Sequence, residues 1–256
     1  MSRFGSAIVI FWLFRLVLCA GIGATVGTVK ILAVPGDTVV NRSLKLVNPD
    51  GYAKKFIISN ITAEQKPGYH SIDDVRWVRI LPETIPVAGR GRSEPIEIKV
   101  SIPNKPEYRN RRFSCRIEIS QYASGALSTG LVIPLYIDTK PTRNVPDKCK
   151  NCGIIVYPNT LSIKEGIDSL TIVNWDSDTA KLTVSWKGRG KGRWRDALTL
   201  MENIMGALVP LPDTITVAPK AKKRIFIKPI MFPGHGKIYF TKNDGKFDFI
   251  NINWGK

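Results

Sequence analysis

Cys149-Lys-Asn-Cys152 is the spacing in this chain closest to known chemistry, because two thiols three positions apart can bind metal, cycle redox state or form a staple. A structural zinc takes about four ligands. Beyond these two thiols and Cys115 only His70 and His235 are on offer, far apart in sequence, so no metal site is expected. A redox C-x-x-C sits in a βαβ setting, and none surrounds this one. The remaining reading is a candidate disulfide between Cys149 and Cys152, formed in an oxidising compartment and pinning the start of a second domain. Cys115 alternates with Phe113, Ile117 and Ile119, the position of a buried core thiol.

The other reactive side chains form no catalytic constellation. Acids number 21 against 38 lysines and arginines, and no carboxylate pair has a setting for acid–base work. Gly188-Arg-Gly-Lys-Gly192 lacks the G-K-[ST] ending and the βα unit of a phosphate loop. It reads as a basic loop flanked by Trp186 and Trp194. The chain is thus read as a non-enzyme with no cofactor. Its formal net charge of +17 favours anionic partners, with membrane-surface contact through basic residues as one reading. Basic residues interleaved with aromatics can also hold a nucleic-acid strand, but an exported chain makes nucleic acid an unexpected partner.

Export is read from Met1 to Gly27. Arg3 precedes the apolar run Ala7–Phe14, and small residues follow at Ala20, Gly21, Gly23 and Ala24, the pattern of a cleaved signal peptide. The alternative is an uncleaved anchor over residues 7–29, which is just long enough to span a bilayer. The expected location is periplasmic. Leu18 stands before Cys19 where a lipoprotein site needs a small residue.

What must position these residues is a module used twice. LPETIPVA from Leu81 returns as LPDTITVA from Leu211, and LKLVNPD from Leu44 returns as LTIVNWD from Leu170. Two landmarks in one order at a domain-sized offset mean tandem domains. Most of the chain alternates with period two. Ile96, Ile98, Val100 and Ile102 interleave with polar residues, and Phe113, Cys115, Ile117 and Ile119 do the same. Seven short strands per repeat, with turn signals between them, argue an all-β chain of two immunoglobulin-like β-sandwich domains. The Cys…Trp…Cys signature of antibody domains is absent. The domains are assigned to residues 28–140 and 149–256, joined by a linker over 141–148. Asp196–Ala207 is the exception, with helical spacing at Leu198, Met201, Ile204 and Met205.

One strand breaks the pattern. Gly130–Asp138, GLVIPLYID, is apolar on both faces and carries Pro134, which argues a strand that lies at an edge or carries a bulge, and an edge of that kind needs a cover. An export signal, two such domains and this strand together resemble the periplasmic chaperones of the chaperone–usher pilus pathway. Val34-Pro35-Gly36-Asp37 with Ser43–Asn48 is similar to that family's first hairpin, and SEPIEIKVSIP with YRNRRFSCRIEIS to its following strands. The resemblance implies donor-strand complementation, in which the edge strand completes the sandwich of a pilus subunit, with an outer-membrane usher as a further partner. The groove-filling candidates are Leu131, Ile133, Leu135 and Ile137. The alternative register turns that row onto the protein's own core and leaves Val132 and Tyr136 outward. The family holds the subunit's C-terminal carboxylate with two basic residues. Lys30 stands nearest the first of these and is the candidate anchor, whereas Ile133 and Pro134 occupy the place of the second. A structural or adhesive envelope protein contacting membrane or polymer through its basic surface is the alternative function.

Overall fold

The computed structural model describes residues 21–62, 68–121, 130–149, 152–164, 166–188, 198–230, 234–245 and 247–254. Residues 1–20, which hold most of the expected signal segment, and residues 189–197 around the basic loop, Trp194 included, lie outside the described residues. The described residues fall into two compact units. One lies within Met1–Glu64, Ser71–Ile102 and Phe113–Ile137, and the other within Gln65–His70, Pro103–Arg112 and Asp138–Lys256. Two segments of the N-terminal half, 65–70 and 103–112, thus belong to the second unit.

Among the described residues, eleven strands precede the linker. They are β1 (Gly23–Ala24), β2 (Val29–Ala33), β3 (Thr38–Leu44), β4 (Leu46–Val47), β5 (Lys54–Thr62) and β6 (His70–Ser71), then β7 (Val78–Leu81), β8 (Thr84–Val87), β9 (Ile96–Ser101), β10 (Arg112–Gln121) and β11 (Gly130–Thr139). Ten follow it. They are β12 (Ile154–Tyr157), β13 (Thr160–Ile163), β14 (Asp168–Asn174), β15 (Ala180–Gly188) and β16 (Leu198–Ile204), then β17 (Ala207–Pro210), β18 (Thr214–Val217), β19 (Lys222–Pro229), β20 (Gly234–Lys242) and β21 (Phe247–Trp254). Among the described residues there is no α-helix.

Both units are built on one plan. In the first, a sheet ordered β2-β11-β10-β5-β8 accompanies a sheet ordered β3-β9-β7. In the second, β13-β21-β20-β15-β18 accompanies β12-β14-β19-β16-β17. Strand for strand the first sheets match, and β14-β19-β16 matches β3-β9-β7. Ile172, Ile225 and Leu200 from one sheet of the second unit meet Val184, Phe240 and Ile250 from the other in a single core. In the first unit Phe56, Ile96, Ile98 and Ile117 are fully buried. These are immunoglobulin-like β-sandwiches, and alternation makes them so: each strand turns every second residue inward.

The repeated motifs land on one hydrogen-bonded knot. Asn48 is fully buried, and its Nδ2 donates to the carbonyls of Tyr52, Val87 and Ala88 at 2.8, 3.2 and 3.1 Å. Asn174, equally buried, donates to Asp178, Val217 and Ala218 at 2.7, 3.1 and 3.1 Å. Each Oδ1 accepts the backbone N–H two residues on, from Asp50 and from Asp176. Arg90 and Lys220 occupy equivalent left-handed turns with φ of 54° and 53°. One asparagine side chain therefore ties three stretches of backbone together in each domain.

Two expectations are corrected here. Asp196–Ala207 is not a helix: Leu198 and Leu200 are buried on one side of β16, and the chain turns through Met205 (φ 51°) and Gly206 (φ 94°) into β17. Consecutive left-handed residues make a hairpin turn and end any helix. The anchor over residues 7–29 cannot extend to its end as a helix either. Gly23 and Ala24 pair with Val47 and Leu46, and the Thr25 amide donates to the Lys45 carbonyl at 3.0 Å. The extended backbone there is already committed to the first unit. No helix among the described residues is long and apolar enough to cross a membrane.

Candidate functional site

The strand marked out by its composition is β11, and in the structure it lies second in its sheet, between β2 and β10. The expectation of a bare edge is therefore corrected to a partly covered one. β2 has five residues and β11 has ten, so among the described residues about half of the outer edge of β11 lies beyond the reach of β2.

Alternation along β11 decides its facing. Ile133, Leu135 and Ile137 are at most 1% exposed and belong to the first unit's own core. Leu131, at the start of the strand, is half-buried on the same side. The choice of Leu131, Ile133, Leu135 and Ile137 as groove-filling residues is therefore corrected: a side chain that fills this core cannot also fill a partner's. The physical reason is area, since Ile and Leu remove more apolar surface from water than Val and Pro, and Tyr brings a hydroxyl to satisfy. Val132, Pro134 and Tyr136 face outward instead, Val132 being half exposed.

β2 continues that outward face. Val29, Ile31 and Ala33 are buried, whereas Lys30 and Leu32 are exposed, Leu32 to 58%. Neighbouring strands thus present Leu32, Val132, Pro134 and Tyr136 as an apolar outer row with Lys30 beside it. On β10 the same face is polar, with Arg116, Glu118 and Ser120. An incompletely paired strand with apolar outward side chains can add a partner's strand by main-chain hydrogen bonds while its side chains fill alternate pockets.

The second unit holds a buried ionic knot that the sequence did not single out. The side chain of Arg112 is 1% exposed, and its Nη1 donates to Asp248 Oδ1 at 3.1 Å while Nη2 donates to the Asn159 carbonyl at 2.7 Å. Its guanidinium stacks 3.7 Å from the centroid of Phe249. Asp248 also accepts the amides of Val156 at 2.9 Å and Phe249 at 2.8 Å. Both Nη atoms and both Asp248 oxygens are satisfied from within the unit, while Nε makes no hydrogen bond and lies 3.8 Å from Asp138 Oδ1; the Arg112–Asp248 contact is a structural ion pair. Beside it, burial together with the Asp248 charge pushes the Tyr157 hydroxyl up to about 12, against the opposing pull of Arg111.

The remaining candidates are placed simply. Cys149 and Cys152 are joined in a disulfide, and the Cys152 carbonyl accepts Arg111 Nη2 at 2.9 Å. Among the described residues Cys115 is the free cysteine, 1% exposed, and burial pushes its thiol up to about 12. Such a thiol is not a nucleophile at neutral pH. His70 lies 3.1 Å from Arg111 Nη1 in the second unit, while His235 is exposed on β20.

No family model matches the chain, and no curated protein matches its sequence. Solved structures that match it include fimbrial and pilus chaperones. The class 5 fimbriae chaperone CfaA is 10% identical over 91% of this chain and 99% of that one, with a TM-score of 0.37. The Acinetobacter baumannii CsuC–CsuE complex, described as a chaperone–tip adhesion subunit pre-assembly complex of archaic chaperone-usher pili, is 13% identical over 93% and 100%, with a TM-score of 0.35. A PapD-like domain of human CEP192 is 13% identical over 46% and 84%, with a TM-score of 0.37. Overlaps this loose, shared between a bacterial chaperone and a human protein, do not decide what this chain binds.

Proposed function

We propose that this chain is an exported assembly chaperone that holds a β-sandwich pilus subunit by strand addition along β11. The observation that carries this reading is the outward row of Val132, Pro134 and Tyr136 on a strand whose outer edge β2 covers for only part of its length. The uncovered length supplies amides and carbonyls to a partner strand, and the outward side chains enter the groove of a subunit that lacks a strand. Pro134 removes one amide donor from β11, which suits a strand that is not fully laddered. The same row explains how a secreted protein tolerates an apolar strand edge: its partner covers it. Lys30, exposed on the neighbouring β2, is the proposed anchor for a carboxylate.

The test uses the full chain recovered from its own envelope beside a Val132→Asp/Tyr136→Asp variant. Wild type is expected to bring down a small β-rich protein in equal amount, and the variant, with an unchanged melting temperature, at least about tenfold less, since two apolar anchors are replaced by charges. Equal recovery by both proteins contradicts strand addition at β11.

A further inference from the structure

We propose that the β16–β17 hairpin of the second unit is a membrane-contacting tip that seats in the headgroup layer of an anionic bilayer. Its residues are apolar and open. Ile204 is 51% exposed, Met205 103%, Leu208 39% and Val209 41%, and a Cβ built on Gly206 would meet nothing within 4 Å. Two left-handed residues, Met205 and Gly206, close the turn, and the Gly206 amide donates to Asn203 Oδ1 at 2.8 Å. The tip is therefore a formed structure rather than a frayed end.

Its placement favours a bilayer over a protein. β16 pairs with β19 only over Leu198–Met201, whereas the hairpin runs on to Ile204 and Ala207. Beyond Met201 the hairpin's strands pair with each other alone, so the apolar turn at Ile204–Ala207 is held by the hairpin itself and left open to contact; an apolar surface of that kind settles at a membrane interface. As a protein dock it is small: β17 has four residues and ends in Pro210, which offers few ladder hydrogen bonds.

Charge points the same way. Lys222 and Arg224 are exposed on β19, and the register from Phe226 opposite Met201, carried on, sets Arg224 level with Asn203 and Lys222 level with Met205. The hairpin's own acid, Glu202, is paired with Lys223 at 2.9 Å. Lys220 holds the preceding turn, and the acid nearest in sequence beyond β17 is Asp213. Cations thus collar an apolar tip, the combination that binds anionic lipid and weakens in salt. This surface lies in a different unit from β11, so either proposal can fail while the other stands.

Flotation of the full chain with vesicles of phosphatidylglycerol mixed with phosphatidylcholine, beside phosphatidylcholine alone, tests it. Wild type is expected to float with the anionic vesicles and to be released by salt. Met205→Asp/Leu208→Asp is expected to bind about tenfold less, and Lys222→Ser/Arg224→Ser about fivefold less or weaker still. Every variant keeps the same N-terminal segment, so the differences report the tip alone. In a Met205→Trp protein the emission should shift blue on anionic vesicles. The proposal is overturned if the Asp variant floats like wild type, if the neutral vesicles bind equally, or if no vesicle binds while the tip cross-links to an envelope protein.

Discussion

Asn48 and Asn174 do the same work in two places, and each can be tested alone. Each carboxamide donates to three carbonyls in or beside the core, so removing it takes a donor from all three at once. Asn48→Ala and Asn174→Ala should each destabilise by about 2–4 kcal/mol, and Asn48→Asp by more, because it sets an acceptor against acceptors. Chemical denaturation measures both, and unequal costs would break the equivalence. Cys115 provides a pH signature. Burial favours its neutral thiol, so the folded chain keeps a proton that the unfolded chain, at an ordinary value of 9.0, has already lost. That stability is fully present below pH 9 and is lost as pH rises towards about 12, with Tyr157 adding to the loss from 10.0 upward. Denaturation curves of wild type should fall more steeply above pH 9 than those of Cys115→Ala; parallel curves would contradict the burial of the thiol.

Among the elements, β11 and the β16–β17 hairpin show how far pattern alone carries. In β11 both faces are apolar, so period two announces a strand but leaves its facing open. Burial settles it through Ile133, Leu135 and Ile137, and a stability contrast follows. Ile133→Asp should cost about 4 kcal/mol or more, because it opens a cavity and buries a charge. Val132→Asp should lie within about 0.5 kcal/mol of wild type. Matched losses would mean that the strand faces the other way. In β16, Leu198, Met201 and Ile204 fit a helical stripe, while Leu198 and Leu200 fit a strand equally well. The turn at Asn203–Gly206 was the signal that distinguishes them. The repeats LKLVNPD and LTIVNWD marked the place of the Asn48 and Asn174 knots, but only as a sign of duplication, since the carbonyls that each asparagine ties lie up to 44 residues away. Arg112 was not legible: it sits in the run Arg109–Arg112, which reads as solvated charge, and its partner Asp248 lies 136 residues away. Long-range pairing leaves no local trace in sequence.

Across the whole molecule, two sandwiches of one plan carry different surfaces. The first unit presents an apolar row beside a partly open strand edge, and the second presents an apolar hairpin collared by cations. The duplication supplies a stable scaffold twice, and the proposed binding surfaces fall where the copies differ: β11 carries Val132, Pro134 and Tyr136 outward, whereas its counterpart β21 carries Asn251 and Asn253. A formal net charge of +17 suits both an acidic partner and an anionic membrane. The central claim is that β11 takes a partner's strand, and amide hydrogen exchange on the chain alone and in its recovered complex tests it most directly. Strand addition predicts that β11 amides beyond the reach of β2 become strongly protected in the complex while those of β21 do not change. If the complex protects other surfaces and leaves β11 exchanging as it does in the free chain, the partner binds elsewhere and strand addition is wrong.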